Sequence, residues 1–139
     1  MQVNTVCIID DDPIFVYGTK VLLNYNRSFG DNIIVFENGK EALSNLSSLL
    51  KSNEKFPEVI FLDLNMPLMD GWEFLDEFSK LSLGKKTKVF IVSSSINPKD
   101  IQESKKYDLV ANFISKPLTD ERLKEVLTEF SSKSNSNKL

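Results

Sequence analysis

The chain has 139 residues, of which 41% are hydrophobic and 27% charged, and its net charge is −3. This balance predicts a single globular domain and gives no basic stripe for nucleic acid and no attraction to an anionic membrane. The sequence contains no histidine, which excludes histidine-based acid–base catalysis and most zinc sites. With no secretory leader and no apolar stretch long enough to cross a bilayer, we expect a cytoplasmic protein.

Short apolar runs alternate with segments of helical periodicity along the chain. In chain order the prediction is strand 6–9, helix 13–26, strand 33–36, helix 39–50, strand 59–62, helix 72–81, strand 89–92, helix 98–107, strand 110–114 and helix 119–130. The runs are near-continuous in β-branched and aromatic residues, which is typical of strands buried on both faces. The alternation therefore predicts a five-stranded parallel α/β sheet, doubly wound, with helices on both faces.

The chain divides into one domain and a tail. Residues 1–130 carry all ten predicted elements, and residues 131–139 form a polar segment of low complexity that we expect to be disordered. The first helix has the clearest start, because Asp12 is a typical N-cap and Pro13 suits the first helical position.

Polar side chains follow four of the five predicted strands. They are Asp10 and Asp11 after the first, Asp63 after the third, Ser93 after the fourth and Lys116 after the fifth. Each alone has a structural explanation, as a turn cap, a hydroxyl bonded to backbone or a surface lysine. Ligands of open parallel sheets bind beyond the carboxyl ends of the strands, so the joint pattern indicates a site there.

The residue types of this pattern indicate phosphoryl chemistry. A carboxylate cluster without histidine or cysteine suits Mg²⁺ or Mn²⁺, and Mg²⁺ is commonly bound together with phosphate oxygens. Lys116 and Ser93 are suited to contact those oxygens, and a carboxylate is able to act as the nucleophile that forms an aspartyl phosphate.

Four motifs together resemble the receiver domain of CheY-like two-component response regulators. They are "IIDDDP", "VIFLDLNMPLMDG", "VFIVSSS" and "FISKP", and the resemblance covers about residues 4–130. It implies a flavodoxin-like fold with strand order 2-1-3-4-5, an order that comes from the family and not from the residues.

The resemblance also implies a role for each matching position. Asp63 is similar to the phosphoacceptor, and Asp10, Asp11 and the backbone carbonyl of Asn65 to the other metal ligands, with Asp11 the more direct of the acidic pair. Lys116 matches the lysine that contacts the phosphoryl oxygens, and its bond to Pro117 is often cis in relatives. Ser93 and Phe113 match the switch positions, although Phe113 lacks the hydroxyl of the tyrosine that many relatives have there.

By this resemblance we expect a stand-alone signalling switch. A sensor histidine kinase or phosphotransfer protein would supply the phosphoryl group. It would dock at the start of the first helix, where we expect at least one of Ile14 and Phe15 to project outward. No output domain follows residue 130, so an unknown downstream protein would read the state on the face of the fourth helix, fifth strand and fifth helix. The chain would catalyse only its own phosphorylation and dephosphorylation, without a nucleic-acid or membrane partner.

Two alternatives stay open. A phosphohydrolase of the haloacid dehalogenase type also uses an aspartyl phosphate, but it requires a second Asp two positions after the nucleophile, where this chain has Asn65. The second alternative is a receiver-like binding module that is never phosphorylated. The complete set of polar residues at the strand ends argues against it.

Overall fold

The computed structural model describes residues 2–52, 55–81 and 87–136, with the backbone alone for 132–136. The elements in chain order are β1 (Val3–Ile9), α1 (Pro13–Tyr25), β2 (Phe29–Phe36), α2 (Gly39–Ser52), β3 (Val59–Leu62), α3 (Gly71–Phe78), β4 (Lys88–Ser93), α4 (Pro98–Ser104), β5 (Val110–Ser115) and α5 (Asp120–Ser136). Every predicted strand and helix is present. No helix among the described residues is both long and apolar enough to cross a membrane.

The five strands form one parallel sheet in the order β2-β1-β3-β4-β5, which confirms the fold expected from the resemblance. Successive side chains of β1 alternate between two cores. Val6 and Ile8 pack with residues of α1 and α5 on one face, and Cys7 and Ile9 pack with residues of α2 and α3 on the other. The prediction of strands buried on both faces is therefore confirmed for β1, β3 and β4, whereas the edge strands β2 and β5 are only partly buried.

Several elements differ in extent from the prediction. β1 and β2 begin earlier, through the polar residues Asn4 and Asn32, because the two strands pair there and the Asn32 amide donates to Thr5 Oγ1 at 3.0 Å. α4 ends at Ser104 rather than at residue 107. α5 continues to Ser136, six residues into the segment predicted as a disordered tail; that segment has no Gly or Pro to stop a helix, and residues 137–139 lie outside the described part.

Candidate functional site

The carboxylates predicted to cluster lie together at the carboxyl edge of the sheet. β1 and β3 are paired neighbours, with Ile9 opposite Leu62, so the residues that follow them, Asp10 and Asp63, lie side by side. Asp11 completes the group, and one carboxylate oxygen of each residue lies within 4.8 Å of those of the other two. Asp10 and Asp63 are buried, whereas Asp11 is exposed.

The third aspartate of the run caps α1. Asp12 Oδ1 accepts from the backbone N–H groups of Ile14 at 3.0 Å and Phe15 at 3.4 Å, which confirms the predicted N-cap. Its own backbone N–H donates to Asp10 Oδ1 at 2.9 Å. The cap therefore orients one of the clustered carboxylates as well as starting the helix.

Lys116 supplies a positive charge inside the carboxylate group. Its Nζ lies 2.9 Å from Asp10 Oδ2 and 3.9 Å from Asp63 Oδ1, and its side chain is only 15% exposed. Its backbone N–H donates to the carbonyl of Ser93 at 2.8 Å, and its bond to Pro117 is cis, which agrees with what the resemblance implied.

The electrostatics of the group leave negative charge only partly compensated. Burial and then the charge of Asp10 raise the pKa of Asp63 to about 6, although Lys116 opposes both effects. Burial also raises the pKa of Asp10, whose buried Oδ2 atom has the Lys116 ammonium as its partner. Three carboxylates around one ammonium form an all-oxygen cluster with excess negative charge, which fits a hard divalent cation such as Mg²⁺ or Mn²⁺.

The remaining predicted residues lie around this group. Ser93 ends β4 with its side chain buried, but its hydroxyl donates to the carbonyl of Ser95 at 3.0 Å. Phe113 on β5 is half-buried and packs against the core on the α2 and α3 face. Asn65 is exposed and its backbone N–H donates to the Asp63 carboxylate. The structure thus brings the carboxylates and Lys116 together, and the Ser93 hydroxyl is engaged elsewhere.

Ile14 and Phe15, of which we expected at least one to project outward, point in different directions. Ile14 is 82% exposed, whereas Phe15 is buried, with its ring centroid 4.6 Å from Lys116 Nζ. The buried residues of α1 are Phe15, Thr19 and Leu23. Their spacing of four is a signal in the sequence that already separates Phe15 from Ile14.

The loop after Asp63 closes tightly onto α3. The Gly71 N–H donates to the carbonyl of Leu64 at 2.9 Å, and a Cβ at Gly71 would lie 2.6 Å from the carbonyl oxygen of Asp63. Leu68, in the same loop, is exposed and has a φ of 68°, a left-handed conformation that is costly for a side chain of this type. Neither feature was predicted from the sequence.

The sequence matches the model of a known protein family. The sequence model of the family described as "Response regulator receiver domain" matches residues 6–128.

The chain belongs to the response regulator receiver family.

Solved receivers superpose closely on this one. A two-component response regulator from Cytophaga hutchinsonii is 27% identical with a TM-score of 0.86, over 96% of this chain and 100% of that one. The phosphorylated cyanobacterial phytochrome response regulator RcpA is 25% identical with a TM-score of 0.73, over 92% of this chain and 91% of that one.

A longer protein also contains a similar segment. The probable C4-dicarboxylate response regulator DctR of Halalkalibacterium halodurans is 27% identical over 125 residues, which are 90% of this chain and 50% of that protein. The receiver described here therefore spans about half the length of this curated relative. Receiver domains are modules of two-component signalling that interact with histidine kinases or phosphotransfer proteins, rather than metabolic enzymes.

Proposed function

We propose that this receiver is a switch that accepts a phosphoryl group on Asp63 from a histidine kinase or phosphotransfer protein. The observation that carries the proposal is the convergence of Asp10, Asp11, Asp63 and Lys116 at one edge of the sheet. A carboxylate nucleophile beside an ammonium, within a carboxylate cluster able to bind a cation, matches the requirements of phosphoryl transfer, which depends on positioning and on charge stabilisation.

The residues that would hold Mg²⁺ or Mn²⁺ are Asp10, Asp11 and Asp63, with the backbone carbonyl of Asn65 as the further protein ligand. When bound, the ion would neutralise part of the negative charge on the phosphoryl oxygens. The raised pKa values of Asp10 and Asp63 support this assignment, because they show that Lys116 does not fully offset the cost of ionising these two carboxylates inside the protein.

In the proposed transfer an Asp63 carboxylate oxygen attacks the phosphorus of a phosphohistidine. The oxygen–phosphorus bond forms, the nitrogen–phosphorus bond breaks, and its electron pair stays on the leaving imidazole. The Lys116 ammonium, 3.9 Å from Asp63 Oδ1, donates to the phosphoryl oxygens. The Ser93 hydroxyl leaves the Ser95 carbonyl and donates to the same oxygens, since a charged acceptor gives the stronger hydrogen bond.

The donor docks on the exposed start of α1. A groove of about 690 Å³ lies between α1 and the segment after β5, lined by residues that include Ile14, Tyr17 and Pro117. Ile14 and Tyr17 are 82% and 72% exposed, and exposed apolar residues beside a reactive site mark an interface. Phe15, in contrast, is too buried to be a docking residue.

Intact mass measured after incubation with acetyl phosphate tests the acceptor. The wild type should gain one phosphoryl group only when Mg²⁺ is present, Asp63→Asn should gain none, and Asp11→Ala should lose most of the gain. Asp31→Asn, a change at an exposed carboxylate on β2, is the matched control and should behave as the wild type.

Other outcomes identify the alternatives. A full mass gain in Asp63→Asn contradicts the acceptor assignment. Absence of any gain in the wild type would identify a binding module, and steady turnover of a small phosphate ester would identify a phosphohydrolase.

The docking surface is tested by Ile14→Asp. The new charge should slow transfer from a phosphorylated histidine phosphotransfer protein about tenfold or more, because it places an unpaired carboxylate in an apolar contact. The rate with acetyl phosphate should not change. Equal slowing with both donors would contradict the docking role.

A further inference from the structure

The ammonium of Lys116 has an aromatic partner in addition to its carboxylate partners. Its Nζ lies 4.6 Å from the centroid of the Phe15 ring. Phe15 is 8% exposed and the Lys116 side chain 15% exposed, so water competes little for either group. The face of an aromatic ring attracts a cation at this distance, and the attraction is strongest where both are desolvated.

The carboxylate partners of Lys116 are also metal ligands in the proposed function. Nζ lies 2.9 Å from Asp10 Oδ2, so a cation bound by Asp10 would compete with the ammonium for that carboxylate and weaken the pair. The Phe15 ring has no charge to lose, and it is fixed by the core and by the bond from its backbone N–H to Asp12 Oδ1.

We propose that Phe15 is a positioning residue, whose ring face keeps the Lys116 ammonium beside Asp63 when Asp10 is engaged by a metal ion. This inference rests on the proposed phosphoryl transfer to Asp63 and adds a residue to it. It also explains why an apolar side chain of the core lies against the most enclosed charges of the site.

A series of fluorinated phenylalanines at position 15 separates this role from simple packing. One, two and three ring fluorines progressively remove electron density from the ring face and change the volume of the side chain little. The rate of phosphorylation by acetyl phosphate with Mg²⁺ should fall stepwise, by roughly fivefold over the series, which corresponds to the loss of a cation–π contact of about 1 kcal/mol.

The matched control is the same series at Phe29. This ring belongs to the same core cluster and is 3% exposed, but it lies at the start of β2, at the opposite end of the sheet from Asp63. Its series should leave the rate unchanged. A rate that does not change along the series at position 15 would overturn the proposal, even if Phe15→Leu were slow through a packing defect.

Nuclear magnetic resonance provides a readout that does not need phosphorylation. The ring current of Phe15 should shift the ε-methylene protons of Lys116 upfield, and the shift should disappear in Phe15→Leu. It should persist when Mg²⁺ is added to the wild type, and its loss on adding Mg²⁺ would overturn the proposal. If the wild type took up no phosphoryl group, the proposed function would fail, while this shift would still test the role of Phe15.

Discussion

At the scale of single residues, Asp63 shows how the site weakens the fold that contains it. A buried carboxylate is costly to ionise, and burial together with the charge of Asp10 raises the pKa of Asp63 from 3.8 to about 6. The folded state therefore binds more protons than the unfolded state between about pH 4 and pH 6. This difference in proton binding stabilises the folded state fully below about pH 4. The stabilisation is lost as the pH rises through the pKa of Asp63 in the folded state, which is about 6.

Asp63→Asn should consequently stabilise the protein when divalent cations are absent. The expected gain in the free energy of unfolding at pH 7 is up to about 3 kcal/mol, and it should shrink towards pH 4, where the wild-type carboxyl is protonated. Urea unfolding in chelator at both pH values measures the effect.

The control for this comparison is Asp31→Asn, which changes an exposed carboxylate on β2 and should leave the free energy of unfolding within about 0.5 kcal/mol of the wild type. An Asp63→Asn protein no more stable than the wild type at pH 7 would show that Asp63 is not strained when ionised.

At the scale of elements, the start of α3 fixes the loop that carries Asp63. Asp70 caps the helix in a reciprocal capping box with Glu73, and the helix begins at Gly71 against the backbone of Asp63 and Leu64. Gly71 lies so close to the backbone of Asp63 that any side chain at position 71 would displace the loop.

Gly71→Ala should therefore damage the site more than a glycine substitution in a helix normally does. The new Cβ would lie 2.6 Å from the Asp63 carbonyl oxygen and 2.8 Å from Leu64 Cα, and both are backbone atoms that move only together with the loop. We expect a loss of about 1–3 kcal/mol in the free energy of unfolding and slower phosphorylation by acetyl phosphate.

Gly18→Ala provides the matched comparison, because nothing lies within 4 Å of its Cβ position in the middle of α1. It should stabilise the protein by about 0.5–1 kcal/mol, as alanine restricts the unfolded chain and favours the helix. If both variants were stabilised, a close approach of Gly71 to the backbone of Asp63 would not be what restricts this position.

A second link between elements joins α3 to the end of α4. The Tyr107 hydroxyl donates to the Asp76 carboxylate, and its ring stacks on Trp72 with centroids 6.2 Å apart. Trp72 and Asp76 lie one turn apart on α3. Burial, and then the neighbouring Asp76, raise the pKa of Tyr107 to about 12. Tyr107, three residues after the end of α4 at Ser104, therefore attaches this short helix to α3.

Tyr107→Phe should release this attachment while the ring contact stays. The expected loss in the free energy of unfolding is about 1 kcal/mol, and the amides of α4 should exchange with solvent faster than in the wild type. Tyr25→Phe, at a side chain that is 84% exposed, should change neither quantity. Unchanged exchange in Tyr107→Phe would show that other contacts hold α4.

At the scale of the whole molecule, the proposed function requires that a phosphoryl group on Asp63 change a distant surface. An almost complete shift between two states requires about 5.5 kcal/mol of differential interaction. One hydrogen bond from Ser93 to a charged acceptor supplies about 1.5–3 kcal/mol, and Ser93 must first release the carbonyl of Ser95. We therefore expect Lys116 and Ser93 to act together, with Phe113 on β5 responding to both.

Amide chemical-shift mapping with beryllofluoride and Mg²⁺, which mimic the phosphorylated state, tests this coupling. The changes should extend from Asp63 through residues 93–117, and Ser93→Ala should reduce those around Phe113 and α4 by more than half. Ser48→Ala, which removes a hydroxyl on α2, should retain the wild-type pattern. A full response in Ser93→Ala would exclude this route.

Local patterns in the sequence were sufficient for the elements and for the position of the site. The near-continuous apolar runs predicted strands buried on both faces, and Asp12-Pro13 predicted the start of α1. Because the carboxyl ends of parallel strands meet at one edge, the residue after each strand predicted that Asp10, Asp63 and Lys116 would meet. These inferences need only the chain neighbours of each residue and the common direction of the strands.

The tertiary structure alone decided which side chains touch. Asn4 and Asn32 entered strands because β1 and β2 pair there, against the propensity of their residue type. The contacts of Phe15 with Lys116, Gly71 with Asp63 and Tyr107 with Asp76 join residues from different elements. Their distances depend on how helices pack on the sheet, and packing is set by the whole set of neighbouring side chains. No local stretch of the chain contains that information.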